Sequence, residues 1–148
     1  MNIRKPTDYA TMFTILDTLM AAQLPQMELY REIGRLVSGR AEKGAAVAAS
    51  EYLQAAYPTA EGFSPRNVRR MRAFYAAYEE SPEIMHLAMN LGWTQNAAIL
   101  EGCGSSAERA WYIRATLRFG WKKAKLLESI KTQAWRNSSL DEQAASCY

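Results

Sequence analysis

Apolar residues recur three and four positions apart along almost the whole chain, the spacing that lines one face of an α-helix. Alternating patterns and Val- or Ile-rich runs, the marks of strands, are nearly absent. The pattern predicts an all-α protein, a single helical domain of about seven or eight helices. Tyr9, Phe13, Leu16 and Met20 form a stripe on a first helix from Asp8 to about Gln23, and Pro25 ends it or starts the next. Tyr30, Ile33, Gly34 and Val37 share one face of a second helix that stops near Gly39. A third runs from about Gly44 to Tyr57, where Pro58 closes it.

Start signals place the remaining helices. Ser64 can cap a helix whose first position is Pro65, where the missing N–H is harmless, and this fourth helix should reach about Glu79. Ser81-Pro82 repeats the signal for a shorter helix to about Leu91, and Thr94 to about Glu101 is another. Ser105-Ser106-Ala107-Glu108 reads as a capping box opening a helix to Phe119. A last helix runs from Trp121 to about Arg136, before a polar tail. Val68, Met71, Tyr75, Ile33 and Val37 are the expected core. The chain divides into an N-terminal amphipathic helix (1–25), a candidate dimerisation element; a helical domain (26–136); and the tail (137–148).

Hydrophobic residues at 49% and charged ones at 22% exclude a disordered composition. The net charge of +3 is too small to name a partner, so only its distribution informs. Cys103 and Cys147 form no CxxC pair, which argues against a zinc site and a disulfide framework. Asp8 and Asp17 interrupt the N-terminal apolar run, and no segment approaches the roughly eighteen apolar residues of a membrane span. A cytoplasmic location without membrane association is expected.

Catalytic chemistry has little to work with. His86 is the only histidine and lies opposite the Ile84, Ala88, Leu91 stripe. Acids are spread mostly singly among basic neighbours, and Glu79-Glu80, the adjacent pair before the tail, faces two ways. Gly102-Cys103-Gly104 has neither a strand before it nor a Lys or Thr after it, so it is no phosphate loop. Neither enzymatic activity nor a cofactor nor a bound metal is expected.

Charge concentrates in Ser64 to Tyr78, SPRNVRRMRAFYAAY, which carries four arginines and no acid. At 3.6 residues per turn, Val68, Met71, Tyr75 and Tyr78 fall on one side and Arg66, Arg69 and Arg70 on the other, flanked by Asn67 and Arg72. Arg and Asn supply the bidentate donors and acceptors that read guanine and adenine edges in a major groove. With the third helix and the connection before it, this forms a loose helix-turn-helix whose turn is longer than usual. A plainly solvated arginine face is the competing reading. Lys122 and Lys123 add a second basic patch at a helix start, where cations oppose the helix dipole, and phosphate contact or tolerated surface lysines account for them equally. Three helix starts carry glycine followed by an aromatic, at Phe63, Trp93 and Trp121. Stapling onto the first turn is the bland role for these rings, as Phe63 with Val68 or Trp121 with Leu126, and a base-stacking platform is the sharper one.

Leu29-Tyr30-Arg31-Glu32-Ile33-Gly34-Arg35, Tyr52-Leu53-Gln54-Ala55-Ala56-Tyr57-Pro58 and the run Gly62-Phe63-Ser64-Pro65-Arg66-Asn67-Val68-Arg69-Arg70-Met71-Arg72-Ala73-Phe74-Tyr75 resemble the N-terminal domain of the YhcG family, also known as domain of unknown function 1016. Glu108-Arg109-Ala110-Trp111-Tyr112 and Gly120-Trp121-Lys122 are similar to its later blocks, so the resemblance covers roughly residues 26 to 131. Two positions depart from the family pattern: its Trp-Gly before the third helix is here Lys43-Gly44, and a His after Trp-Ser is here Gln95. The resemblance implies a DNA-binding helical domain, fused in longer members to a nuclease-like domain of the PD-(D/E)XK class. Glu128-Ser129-Ile130-Lys131 is not expected to stand in for that domain's catalytic motif, because it lies on a helix without a partner acid or sheet.

The expected function is a non-catalytic nucleic-acid-binding module acting on DNA, with RNA not excluded, through Arg66, Asn67, Arg69, Arg70, Arg72, Lys122 and Lys123. The alternative is a protein-interaction adaptor or antitoxin-like subunit that binds a toxin or nuclease partner. A homodimer through the first helix is expected under either.

Overall fold

The structure, a computed structural model, describes residues 8–42 and 44–136. Among these residues all regular structure is helical, with eight α-helices, a closing 3-10 turn at Ala134–Arg136 and no strand. The chain forms two compact units, Met1–Tyr75 and Ala76–Tyr148. The boundary drawn from sequence at residues 25 and 26 is therefore not where the fold divides.

The first unit holds α1 (Ala10–Ala21), α2 (Gln26–Ser38), α3 (Gly44–Ala56) and most of α4 (Pro65–Tyr78). Gln23 adopts a left-handed φ of 54° that ends α1, and Pro25 is the N-cap of α2. Helix α1 packs on both α2 and α3, so it belongs to this unit rather than standing apart from it. Its inward residues are Met12 and Leu16; Tyr9, Phe13 and Met20 lie at the margin. Ile33, Val37, Val68 and Met71 are fully buried, as the periodicity indicates. Tyr75 is only half-buried, and Phe74 takes the core position instead. Val68, Met71 and Phe74 continue one i, i+3 row, and a phenyl ring fills it without the hydroxyl that a buried tyrosine must satisfy.

Gly34 explains how close α4 comes to α2. A Cβ at that position would lie 2.7 Å from the Met71 carbonyl carbon and 3.2 Å from Tyr75 Cβ. Only a residue without a side chain allows this approach.

A surface clasp joins α1 to α3. The Tyr52 and Tyr57 hydroxyls both donate to the Asp17 carboxylate, at 2.7 and 2.6 Å, and the Phe13 and Tyr52 rings stack at 4.2 Å. The Tyr57 bond, then the Tyr52 bond, holds Asp17 below its ordinary pKa of 3.8. In return the Asp17 bond pushes the Tyr57 hydroxyl up from 10.0 to about 12. A depressed carboxylate contributes stability above its unfolded pKa and loses it as pH falls through the folded one; a raised phenol does so below its unfolded pKa and loses it as pH rises through the folded one. The stability gap between wild type and Asp17→Asn should therefore be widest between about pH 4 and 10. It should close on acidification below that window and between pH 10 and about 12. Thermal melts of both proteins across pH check this, and a gap of constant size would contradict it.

The second unit holds α5 (Pro82–Ala88), α6 (Trp93–Gly102), α7 (Ser106–Phe119) and α8 (Lys123–Lys131). Ser105 Oγ accepts the Glu108 N–H at 3.1 Å, the cap expected at the start of α7. Helix α7 packs against α5, α6 and α8, and α6 packs on α8. Tyr112, Ile113, Ile99 and Leu126 are fully buried. The Tyr112 hydroxyl donates to the Ser129 carbonyl at 3.2 Å and accepts from the Trp135 N–H at 3.3 Å, so it ties α8 and the 3-10 turn to α7. The last helix of the sequence pattern is shorter than expected: Lys122 is its N-cap, and the 3-10 turn replaces its final residues. The 137–148 tail lies outside the described residues. Among the described residues no helix is long and apolar enough to cross a membrane.

Candidate nucleic-acid interface

The turn into α4 is built by several side chains acting on one short stretch of backbone. Gly62 has φ +93°, a conformation that disfavours other residues. The buried Ser50 hydroxyl donates to the Phe63 carbonyl at 2.6 Å, and the Gln54 amide donates to the same oxygen at 2.9 Å. Ser64 Oγ accepts the Asn67 N–H at 3.2 Å, the expected cap, with Pro65 as the first residue of the helix. Phe63 is buried and meets the Tyr30 ring edge-on at 6.3 Å.

Asn67 completes this turn. Its amide donates to the Gly62 carbonyl at 2.6 Å and also hydrogen-bonds the Tyr30 hydroxyl. The base-edge role expected for Asn67 competes in the fold with these two bonds, which use its amide to hold the loop. Arg72 is also turned inward: its guanidinium donates to the Arg40 carbonyl at 2.7 Å and the Glu42 carbonyl at 3.4 Å. The same 40–42 stretch is tied by Arg40, which pairs with the Glu42 carboxylate at 2.6 Å and lies 4.6 Å over the Tyr9 ring. The Arg40 hydrogen bond is the main reason the Glu42 pKa is lowered.

Arg66, Arg69 and Arg70 lie on the outward side of α4. Arg66 and Arg69 are exposed and Arg70 is half-exposed, with exposed Ala73 one turn beyond Arg69. No acid occurs anywhere from Ser64 to Tyr78. The helix thus has one buried apolar face and one guanidinium face, and the small Ala73 leaves the latter open.

In the second unit Lys122 and Lys123 are exposed, and the first turn of α8 holds no acid. Lys125 pairs loosely with Glu128 at 3.7 Å. Of the glycine-aromatic pairs, Phe63 and Trp93 are buried while Trp121 is half-buried. His86 is exposed, and among the described residues no group of three or more His, Cys, Asp or Glu is placed to hold a metal. Cys103 is buried at the end of α6, and burial, followed by the Glu108 charge, raises its thiol to about 12. It is a poor nucleophile at neutral pH.

The sequence matches the family model of the DUF1016 N-terminal domain over residues 16–137, most of the chain. The chain belongs to that family. The match starts inside α1, which agrees with the packing of that helix in the first unit, and the DUF1016 N-terminal region spans both units. No curated protein and no solved structure matches the chain. Within this DUF1016 N-terminal domain, Gln95 works on the backbone: it accepts from the Gly92 N–H at 2.7 Å and donates to the Trp121 carbonyl at 2.6 Å.

The sequence reading missed the Asp17 clasp and the exposed ring of Phe119. The clasp left no local signal, because Asp17 is 35 and 40 positions from its partners. Phe119 precedes Gly120, so it falls outside the glycine-then-aromatic pattern of the helix starts.

Proposed function

We propose that this protein is a non-catalytic nucleic-acid-binding module of the cytoplasm that holds DNA on the arginine face of α4, with RNA as the other ligand of the same chemistry. The observation that carries this reading is the outward row of Arg66, Arg69 and Arg70 on a helix whose opposite side is buried. Guanidinium forks grip phosphate oxygens through paired, charge-assisted hydrogen bonds. Helix α3, the clamped turn and α4 act as a loose helix-turn-helix that offers α4 to the duplex. With Asn67 and Arg72 engaged in the fold, this face supplies phosphate contacts, which fix position and carry no sequence information. Binding should be nearly independent of sequence.

Each phosphate neutralised by an arginine adds about −0.9 to the slope of log affinity against log salt, so this face contributes near −3. Arg69→Ala should lower that slope by about one and weaken binding to all duplexes alike. Fluorescence anisotropy with random-sequence duplex over a salt series measures it. A slope untouched by Arg69→Ala would place the contact elsewhere.

A second reading, self-association of an adaptor through α1, is favoured by one groove. Ile15 is 40% exposed and, with Leu19 and Leu36, lines a depression of about 370 Å³ that also carries Glu32 and Arg35. Both charge signs on one patch suit a two-fold contact in which each surface meets its own copy. Light scattering should then show a dimer that Ile15→Glu converts to monomer, and monomer mass for wild type would remove this reading.

A further inference from the structure

The rings at the turn between α7 and α8 are arranged differently from the other helix-start aromatics. Phe119 is 37% exposed and stacks on Trp121, with centroids 5.5 Å apart and planes 26° from parallel. Behind Trp121 stands the buried Trp111, 6.4 Å away. The turn is held from several directions: Gly120 has φ +66°, the Trp121 N–H bonds the Thr116 carbonyl at 3.2 Å, and Gln95 donates to the Trp121 carbonyl. The rings are ordered before any ligand arrives, which spares that entropy on binding. Around Gly120 the space is open.

Charge says which partner suits this surface. Arg118, Lys122 and Lys123 are exposed within four residues of Phe119, and no acid occurs between Glu108 and Glu128. An apolar protein partner would gain nothing from such an unbroken cationic stretch, whereas a polyanion with flat apolar rings meets both features. We propose that the exposed face of the Phe119–Trp121 pair is a stacking platform for an unpaired base of single-stranded nucleic acid, with Arg118, Lys122 and Lys123 meeting the flanking phosphates. A duplex hides its base faces in its own stack, so this platform requires a strand end, gap or loop. It does not depend on the arginine face of α4, because its parts all lie within the second unit.

The test uses the full chain with labelled oligothymidine and oligouridine of about twelve nucleotides, beside a random-sequence duplex. Phe119→Ala should weaken both single strands by roughly 5- to 150-fold, the range of one base–aromatic stack. It should leave duplex affinity and melting temperature unchanged. Phe119→Trp should restore single-strand binding, and the tighter of the two oligonucleotides identifies DNA or RNA as the source of the strand. The Arg66→Ala, Arg69→Ala, Arg70→Ala protein should keep Phe119-dependent single-strand binding whether or not it loses duplex, so failure of either site is read separately. Wild-type affinity of Phe119→Ala for single strands overturns the proposal. An equal loss on duplex, or no binding of either oligonucleotide by the wild type, also overturns it.

Discussion

Gly34→Ala is expected to destabilise the protein strongly, although alanine is the better helix former by about 1 kcal/mol. The new methyl group would be directed at the Met71 carbonyl, with the carbonyl carbon only 2.7 Å away. Backbone cannot yield as a flexible side chain does, so α2 and α4 must separate. Overpacking of this kind costs about 1 to 3 kcal/mol or more, which outweighs the propensity gain. Gly34→Val should be worse still. Urea denaturation measures the loss, and an alanine variant as stable as wild type would mean that α4 does not rest on α2 this closely. The effect extends to function, because Met71 is on the helix that carries Arg69 and Arg70, and a displaced α4 should also lose nucleic-acid affinity.

Asn67→Ala should act on stability rather than on sequence preference. It removes the donor to the half-buried Gly62 carbonyl and a partner of the Tyr30 hydroxyl. Leaving the Gly62 carbonyl without its donor costs about 1 to 3 kcal/mol, while the Tyr30 hydroxyl keeps its Gln26 bond. Arg72→Lys should show a related loss, since an ammonium cannot span the Arg40 and Glu42 carbonyls as the planar fork does. Both variants, studied below their melting temperatures, should bind random duplex with a wild-type salt slope. If Asn67→Ala melts with wild type and instead loses preference for one site, the residue reads bases after all.

These two residues show where the sequence was legible and where it was not. Helix number, the helix starts at Pro65 and Ser106 and most of the core followed from periodicity and local capping signals, which act within a few residues. The boundary between Phe74 and Tyr75 did not, because adjacent positions on a helix differ by only a fraction of a turn and tertiary packing chooses between them. On the candidate interface, the helical wheel separated arginines from apolar residues correctly. It could not tell an outward arginine from one that bends back onto a loop, since Arg72 finds its carbonyl partners about thirty residues earlier in the chain. Likewise the GFSPRN run reads as a recognition motif by composition, while the fold uses its Gly62, Phe63, Ser64 and Asn67 to build the turn that presents Arg66, Arg69 and Arg70.

Titration of random-sequence duplex at low salt into Arg66→Ala, Arg69→Ala, Arg70→Ala, with its melting temperature checked beside wild type, measures the arginine face of α4 directly. The expected result is an unchanged melting temperature and an affinity lower by roughly 10²- to 10³-fold, in line with the loss of three phosphate contacts. Wild-type affinity in the triple variant would contradict the account and leave that face as solvated surface.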